Sequence, residues 1–369
     1  MLAPSHPSWD PRVVMRETKS AAKLGHQMGL VAMHDDSREF PEGIELLPLP
    51  RERVPRWKRI KLMRRVYRMA RRWPADVYHA HEVESLAVGI LLKWRTGAKL
   101  IFDSHECFHY TAARYLSGWK ARLVTALMKR VMKCLSRRAD QVIVVSYTSQ
   151  TFYREFCGCR KVTIIHNSPL PELFPCNEKT PEARRTLIHN SFLSVGRGMH
   201  QLLEALALVK KDMPVRFINV GMIDKSDQAE FDRRVRELGL QDEVEVTGWL
   251  DYEQVGPEMN RGTIGLMALQ PEPNNYATLH NKLFNYMCTG LAVIGPKGSD
   301  TEQVLQHADC GVAVDMTDPQ ALAEVIRSLL REPERTRQMG LNGRKAVETE
   351  FGWHQMEKLL DQIYKDLGA

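Results

Sequence analysis

No apolar run in this chain of 369 residues reaches the roughly 18 residues of a membrane span, and the N-terminus carries no signal-peptide pattern. Internal repeats and low-complexity tracts are missing as well, which excludes solenoids and repetitive disordered arrays. Seven cysteines form no even framework, so a disulfide scaffold is excluded and reduced thiols in a cytoplasmic compartment are expected. Cys157 and Cys159 make a C-x-C, but no second pair completes a zinc site, and both read as structural. Acidic side chains are scarce in one stretch above all. Between Arg51 and Arg72 eleven basic residues stand against Glu52 alone.

What is present describes a soluble globular protein, with 43% hydrophobic and 26% charged residues. The length predicts two domains. Within the basic stretch Trp57, Ile60, Met63, Val66, Tyr67 and Met69 interleave as a partial apolar stripe. Such a helix over 51–72 suits an anionic membrane surface. A surface helix that docks the stripe on its own core explains the pattern equally. No RNA-recognition signature or helix-turn-helix pattern supports nucleic acid as a partner.

The stretch HNKLFNYMCTGLAVIGP, His280–Pro296, organises the rest. Leu283, Phe284 and Met287 fall at helical spacing, so Lys282–Cys288 predicts a short helix with one buried face. Gly290 suits the left-handed C-cap, and Leu291–Gly295 reads as a strand buried on both faces of a parallel sheet. Lys282 in the first turn of such a helix is placed for phosphate. An ordinary helix–strand unit with a solvated lysine is the alternative.

Before that stretch, strands alternate with helices. Asp10 and Pro11 suit a helix start and Gly25 its stop. Strands are expected at Gln27–Met33, Ile44–Leu49, Asp76–His81, Ala98–His105, Gln141–Ser146 and Val162–His166, with helices at Ser85–Trp94 and Ala112–Ala139. The order predicts a doubly wound parallel α/β sheet. Met1–Pro4 is too short for a full opening strand, so the sheet either lacks it or begins upstream. A proline-rich linker over 168–183 separates a first domain, 1–167, from a second of the same type over 184–352. A C-terminal helix over 353–369 is expected to pack back on the first domain. Two such domains facing a cleft would bind ligands at the carboxyl ends of their strands.

In this order the motifs resemble the retaining GT-B glycosyltransferases of family four, in the branch that assembles bacterial polysaccharides. HPSWDPR at 6–12 and HAHE at 79–82 resemble its early loops, and DSHE at 103–106 resembles the segment that carries its active-site histidine. NKLFNYMCTGLAVIG resembles the pattern KLFEYMAxGxPVI, RG at 197–198 the Lys/Arg-Gly that holds the donor diphosphate, and DPQALAEVI with MGLNGRKAVETEF the closing helices. The resemblance implies two Rossmann-like domains and metal-independent, cofactor-free transfer from a nucleotide sugar to a polysaccharide or lipid-linked acceptor. It implies catalytic roles for His105 and Glu106. Donor binding falls to Arg197, Gly198, Lys282, Leu283, Asn285, Gly221 and Gly248, and the acceptor side to Asp10, Arg12 and His81.

The residue types suit that chemistry, because cations and amides must meet the charge that builds on a leaving diphosphate. Arg197 offers a guanidinium fork and Lys282 a point charge. Three positions depart from the pattern. Asn285 and Ala277 stand where the family carries two glutamates, and Ser191 where it carries an arginine. A degenerate, nucleotide-binding or scaffolding member of the family is therefore an alternative. A sugar-nucleotide epimerase of the same two-domain fold fits the motifs less well. His79 and His81, two apart on one strand, with Asp103 and His105 nearby, leave open a metal hydrolase. A cytoplasmic protein, peripheral on the inner face of the plasma membrane, is the expected setting.

Overall fold

The computed structural model describes residues 1–35, 40–51, 59–112 and 116–368. It divides into two compact units, residues 1–166 with the segment from Met356 onward, and residues 167–355. Each is built on a parallel sheet.

The first sheet has seven strands in the order β3-β2-β1-β4-β5-β6-β7. They are β1 (Leu2–Pro7), β2 (Met28–His34), β3 (Ile44–Pro50), β4 (Val77–Ala80), β5 (Lys99–Ser104), β6 (Gln141–Val144) and β7 (Val162–Ile164). The opening strand is present after all. Leu2 and Ala3 pair with Val31 and Ala32 of β2, and Leu2 also pairs with Ala80 of β4. Polar Ser5 and His6 follow where the register shifts, which hides the strand from an apolar-run search.

After β1 the chain makes a wide π-turn at Val13–Thr18 and then α1 (Lys19–Lys23). The main-chain amides of Arg12 and Val13 both donate to the Asp10 carboxylate at 2.9 Å, so Asp10 serves as the expected helix-start cap. The remaining helices of this unit are α2 (Arg59–Arg72), α3 (Val83–Thr96), α4 (Phe108–Thr111), α5 (Gly118–Ser136) and α6 (Tyr147–Thr151). From β3 to β6 the chain steps across the sheet in one direction, so right-handed crossovers put α2, α3 and α5 on one face. α3 packs against both of the others. Most of the described stripe of α2 is used internally, with Ile60 left exposed. Val66 and Ala70 are buried, and Leu62, Met63, Tyr67 and Met69 pack on the core. Residues 52–58 of the basic stretch lie outside the described residues.

The second sheet runs β10-β9-β8-β11-β12-β13. Its strands are β8 (Thr186–Asn190), β9 (Arg216–Val220), β10 (Val244–Val246), β11 (Ile264–Leu266), β12 (Ala292–Pro296) and β13 (Gly311–Val314). Around it lie α7 (Met199–Lys210), α8 (Gln228–Glu237), α9 (Tyr252–Met259), α10 (Pro273–Tyr276), α11 (Asn281–Cys288), α12 (Asp300–Ala308), α13 (Pro319–Arg331) and α14 (Pro333–Ala346). α15 (Trp353–Asp366) starts in this unit and ends in the first.

The proline-rich segment differs from a free linker. Phe174 is fully buried, Arg344 donates to its carbonyl at 2.9 Å, and Lys179 donates to the Thr289 carbonyl at 3.3 Å. The segment is anchored on the second unit by one aromatic side chain and two cations.

Candidate active site

In the first unit the carboxyl ends of β1, β4 and β5 bring together a buried cluster of charge. The π-turn sets Arg12 and Glu17, five residues apart, side by side, with Nε 2.8 Å from Oε1. Arg12 Nη2 donates to both oxygens of Asp103, at 2.9 and 3.2 Å, and Nη1 donates to the Ile165 carbonyl at 3.1 Å. Three histidines surround this pair. His79 and His81 leave the same side of β4 and stack at 4.5 Å between ring centroids. His81 Nδ1 lies 2.9 Å from His105 Nε2, and His79 Nδ1 lies 3.0 Å from the Tyr364 hydroxyl on α15.

The electrostatics follow from burial. Burial would raise the Asp103 carboxyl, yet Arg12 and then His105 hold it well below the usual range. Glu17 is pushed well up by burial and by Asp103, so the two carboxyls of the pair are driven in opposite directions. Burial lowers all three histidines, His105 to about 3. These imidazoles are neutral at physiological pH.

His105, at the end of β5, is half-buried and is the member nearest solvent. His6 lies against it at 5.4 Å, held by Asp10 at 2.9 Å, and burial is outweighed there by Asp10 and Glu82, which raise His6. Glu106 is exposed and contributes its carbonyl to Ser104 Oγ, apart from the cluster. Arg12 and His81 are buried inside the cluster rather than presented at a surface. The carboxyl and imidazole atoms of Glu17, His79, His81 and Asp103 come within 4.8 Å of one another, a spacing that suits a metal. Arg12 already supplies the cation there, bonded to both Asp103 oxygens.

The second unit gathers a different site at the carboxyl ends of β8, β9 and β11. His189 on β8 is paired in register with Asn219 on β9. Asn219 donates from Nδ2 to the Gly221 carbonyl, so its Oδ1 accepts from His189 Nδ1 at 2.7 Å. That leaves Nε2 as an acceptor for Lys282 Nζ at 3.1 Å. Lys282 is only 6% exposed, and no carboxylate lies within ion-pair distance of it among the described residues. Burial and then Arg197 lower it to about 7. Arg197 lies six residues beyond Ser191 and donates to its hydroxyl at 2.7 Å and to the Phe192 carbonyl at 3.2 Å.

Two glycines are required by this geometry. Gly198, at φ 83°, begins α7, and a Cβ there would stand 2.9 Å from Gln270 Nε2. Gly221, at φ 142°, passes so close to Ser191 that a Cβ would sit 2.5 Å from its carbonyl oxygen. Gly248 lies one strand further out, its carbonyl accepting from Thr247 Oγ1. Asn285 is buried, with Nδ2 3.4 Å from Asn190 Oδ1. Leu283 differs from the expectation. Its side chain is fully in the core and its N–H is taken by the His280 carbonyl at 3.0 Å, so α11 offers Lys282 and Asn285 to the site but not Leu283.

Sequence reasoning missed His6, Glu17, His189, Asn219 and Tyr364. Only His6 carried a local signal, its four-residue spacing to Asp10.

Comparison with known proteins decides the family. Residues 11–168 match Glycosyltransferase Family 4, and residues 184–332 match Glycosyl transferases group 1. The chain belongs to the glycosyltransferase families. A glycogen synthase of Mycobacterium tuberculosis is 20% identical over 348 residues, covering 94% of this chain and 82% of the relative. By fold, this glycosyltransferase is similar to sucrose-phosphate synthase from Thermosynechococcus elongatus, with a TM-score of 0.79 at 18% identity over 99% of this chain and 98% of that one. The Anabaena protein HepE in complex with UDP gives 0.76 at 18% identity, over 99% and 98%. The fold is GT-B, with parallel sheets of seven and six strands.

Proposed function

We propose that this glycosyltransferase moves a sugar from a nucleotide sugar to a polysaccharide or lipid-linked saccharide with retention of configuration, using no metal. The observation that carries the reading is Lys282, a buried cation whose near neighbours are a neutral imidazole and a second cation. A burial of that kind is costly unless an anion completes it. A nucleoside diphosphate does so, with Arg197 and the start of α7 at Gly198 meeting the same phosphates. HepE, of the same fold, binds UDP.

In the proposed reaction the bond from the anomeric carbon to the donor phosphate oxygen breaks, and its electron pair leaves with the diphosphate. Lys282 and Arg197 stabilise that charge. The acceptor hydroxyl attacks on the same face, and its proton passes to the departing phosphate oxygen. His105, neutral and fixed by His81, lines the sugar rather than acting as a base. Asp10 and His6 border the acceptor side. The setting proposed is the cytoplasm, at the inner membrane face. Among the described residues no helix is long and apolar enough to cross a membrane.

Release of nucleoside diphosphate from a panel of nucleotide sugars, in the presence of mixed saccharide acceptors, tests the reading. Product analysis by nuclear magnetic resonance should show the donor's anomeric configuration retained. An inverted product, or turnover that requires added divalent metal, would overturn it. One observation favours a second reading, a nucleotide-binding scaffold without turnover. Asn285 and Ser191 leave the site short of a carboxylate and a guanidinium, and Arg197 is folded onto Ser191.

A further inference from the structure

α5 lines up three strongly exposed apolar side chains on one face, and Leu91 and Trp94 of the neighbouring α3 are exposed as well. α5 turns Met132 and Ser136 inward and rests Met128 and Leu135 on the core. Trp119, Leu123 and Leu127 point the other way and are 69%, 59% and 59% exposed. Their spacing of four, at about 100° per residue, sets all three within an arc of about 80°. Leu116, just ahead of the helix, is exposed too.

Cations flank this stripe on both sides. Lys120, Arg122, Arg130, Lys133, Arg137 and Arg138 are all exposed, and no Asp or Glu occurs from Cys107 to Ala139. α2, on the same sheet face, adds the exposed Arg64, Arg65 and Arg68. Most of its own stripe lies on the core, with Ile60 left exposed, so it contributes chiefly charge.

We propose that α5 is an interfacial helix that seats the protein on an anionic phospholipid bilayer. Trp119, Leu123 and Leu127 enter the boundary between headgroups and acyl chains, and the flanking lysine and arginine heads reach lipid phosphates. Charge complementarity selects this occupant. A second copy docked through the same stripe would set cations against cations with no acid to relieve them. A nucleic acid would leave the leucines against water. The assignment stands independently of the sugar chemistry.

Flotation of the full chain with vesicles tests it. Vesicles of phosphatidylglycerol and phosphatidylcholine in equal parts should carry the wild type, pure phosphatidylcholine should not, and added salt should weaken the capture. The combined variant Trp119→Gln, Leu123→Gln, Leu127→Gln should bind the anionic vesicles about tenfold or more weakly. These side chains are exposed, so its thermal midpoint and its response to nucleoside diphosphates should stay at wild type. Capture of the variant equal to wild type would overturn the proposal. So would a concentration-dependent dimer, lost in the variant, in a protein that ignores both vesicles.

Discussion

Lys282 sets the behaviour of the donor site at the scale of one residue. Its pKa of about 7 in the folded protein lies below the 10.5 of an ordinary lysine. The folded state therefore holds fewer protons than the unfolded chain between those values. Stability rises with pH through that window, and the full penalty is present below about 7. Lys282→Met should raise the urea midpoint at neutral pH, flatten that slope and abolish diphosphate binding. A variant as pH-sensitive as wild type would show that Lys282 is not the group concerned. The anion should also bind more weakly as pH rises past the same value, because it needs the protonated amine. Arg12 is the opposite case, a cation matched by the Asp103 carboxylate, with Glu17 beside it. Arg12→Leu should cost about 3–5 kcal/mol by leaving a buried carboxylate without its counter-charge. Urea unfolding with an unchanged m-value would measure it, and a loss under about 1 kcal/mol would remove Arg12 as the keystone of the cluster.

Among the elements, α15 ties the end of the chain to its beginning. Tyr364 reaches His79, its ring lies 5.1 Å from that of His26, and Leu360 and Ile363 are buried. Removing the chain from Met356 onward should lower hydrogen-exchange protection in β1 and β4 while β8 and β12 keep theirs. Equal loss in both units would contradict the division.

The same elements show how far sequence reaches. The runs QVIVV and LAVIG announced β6 and β12 because strands buried on both faces must be continuously apolar. β1 was obscured by its polar second half. α12 was overlooked, although Ser299 caps it by accepting from the Glu302 amide. Lys282, Arg197 and Gly198 were legible because their roles depend on local sequence. His189 and Asn219 were not, since only the parallel register of β8 and β9 makes them neighbours. Glu17 stayed hidden because a π-turn, not an α-turn, sets it beside Arg12.

For the whole molecule, the net charge of +7 reflects two separate needs. In the second unit Lys282 is buried beside Arg197, with no carboxylate among the causes of its shift, which suits a diphosphate. In the first, α2 and α5 show exposed cations on one sheet face, which suits an anionic surface. The central claim concerns the diphosphate, and thermal unfolding against a panel of nucleotides and nucleotide sugars tests it most directly, with wild type beside Lys282→Ala. A ligand at a hundred times its dissociation constant adds about 2.7 kcal/mol of stability. The account predicts a clear rise in midpoint with one nucleoside diphosphate and its sugar conjugates, absent in the variant. No rise with any of them, or an equal rise in the variant, would contradict it.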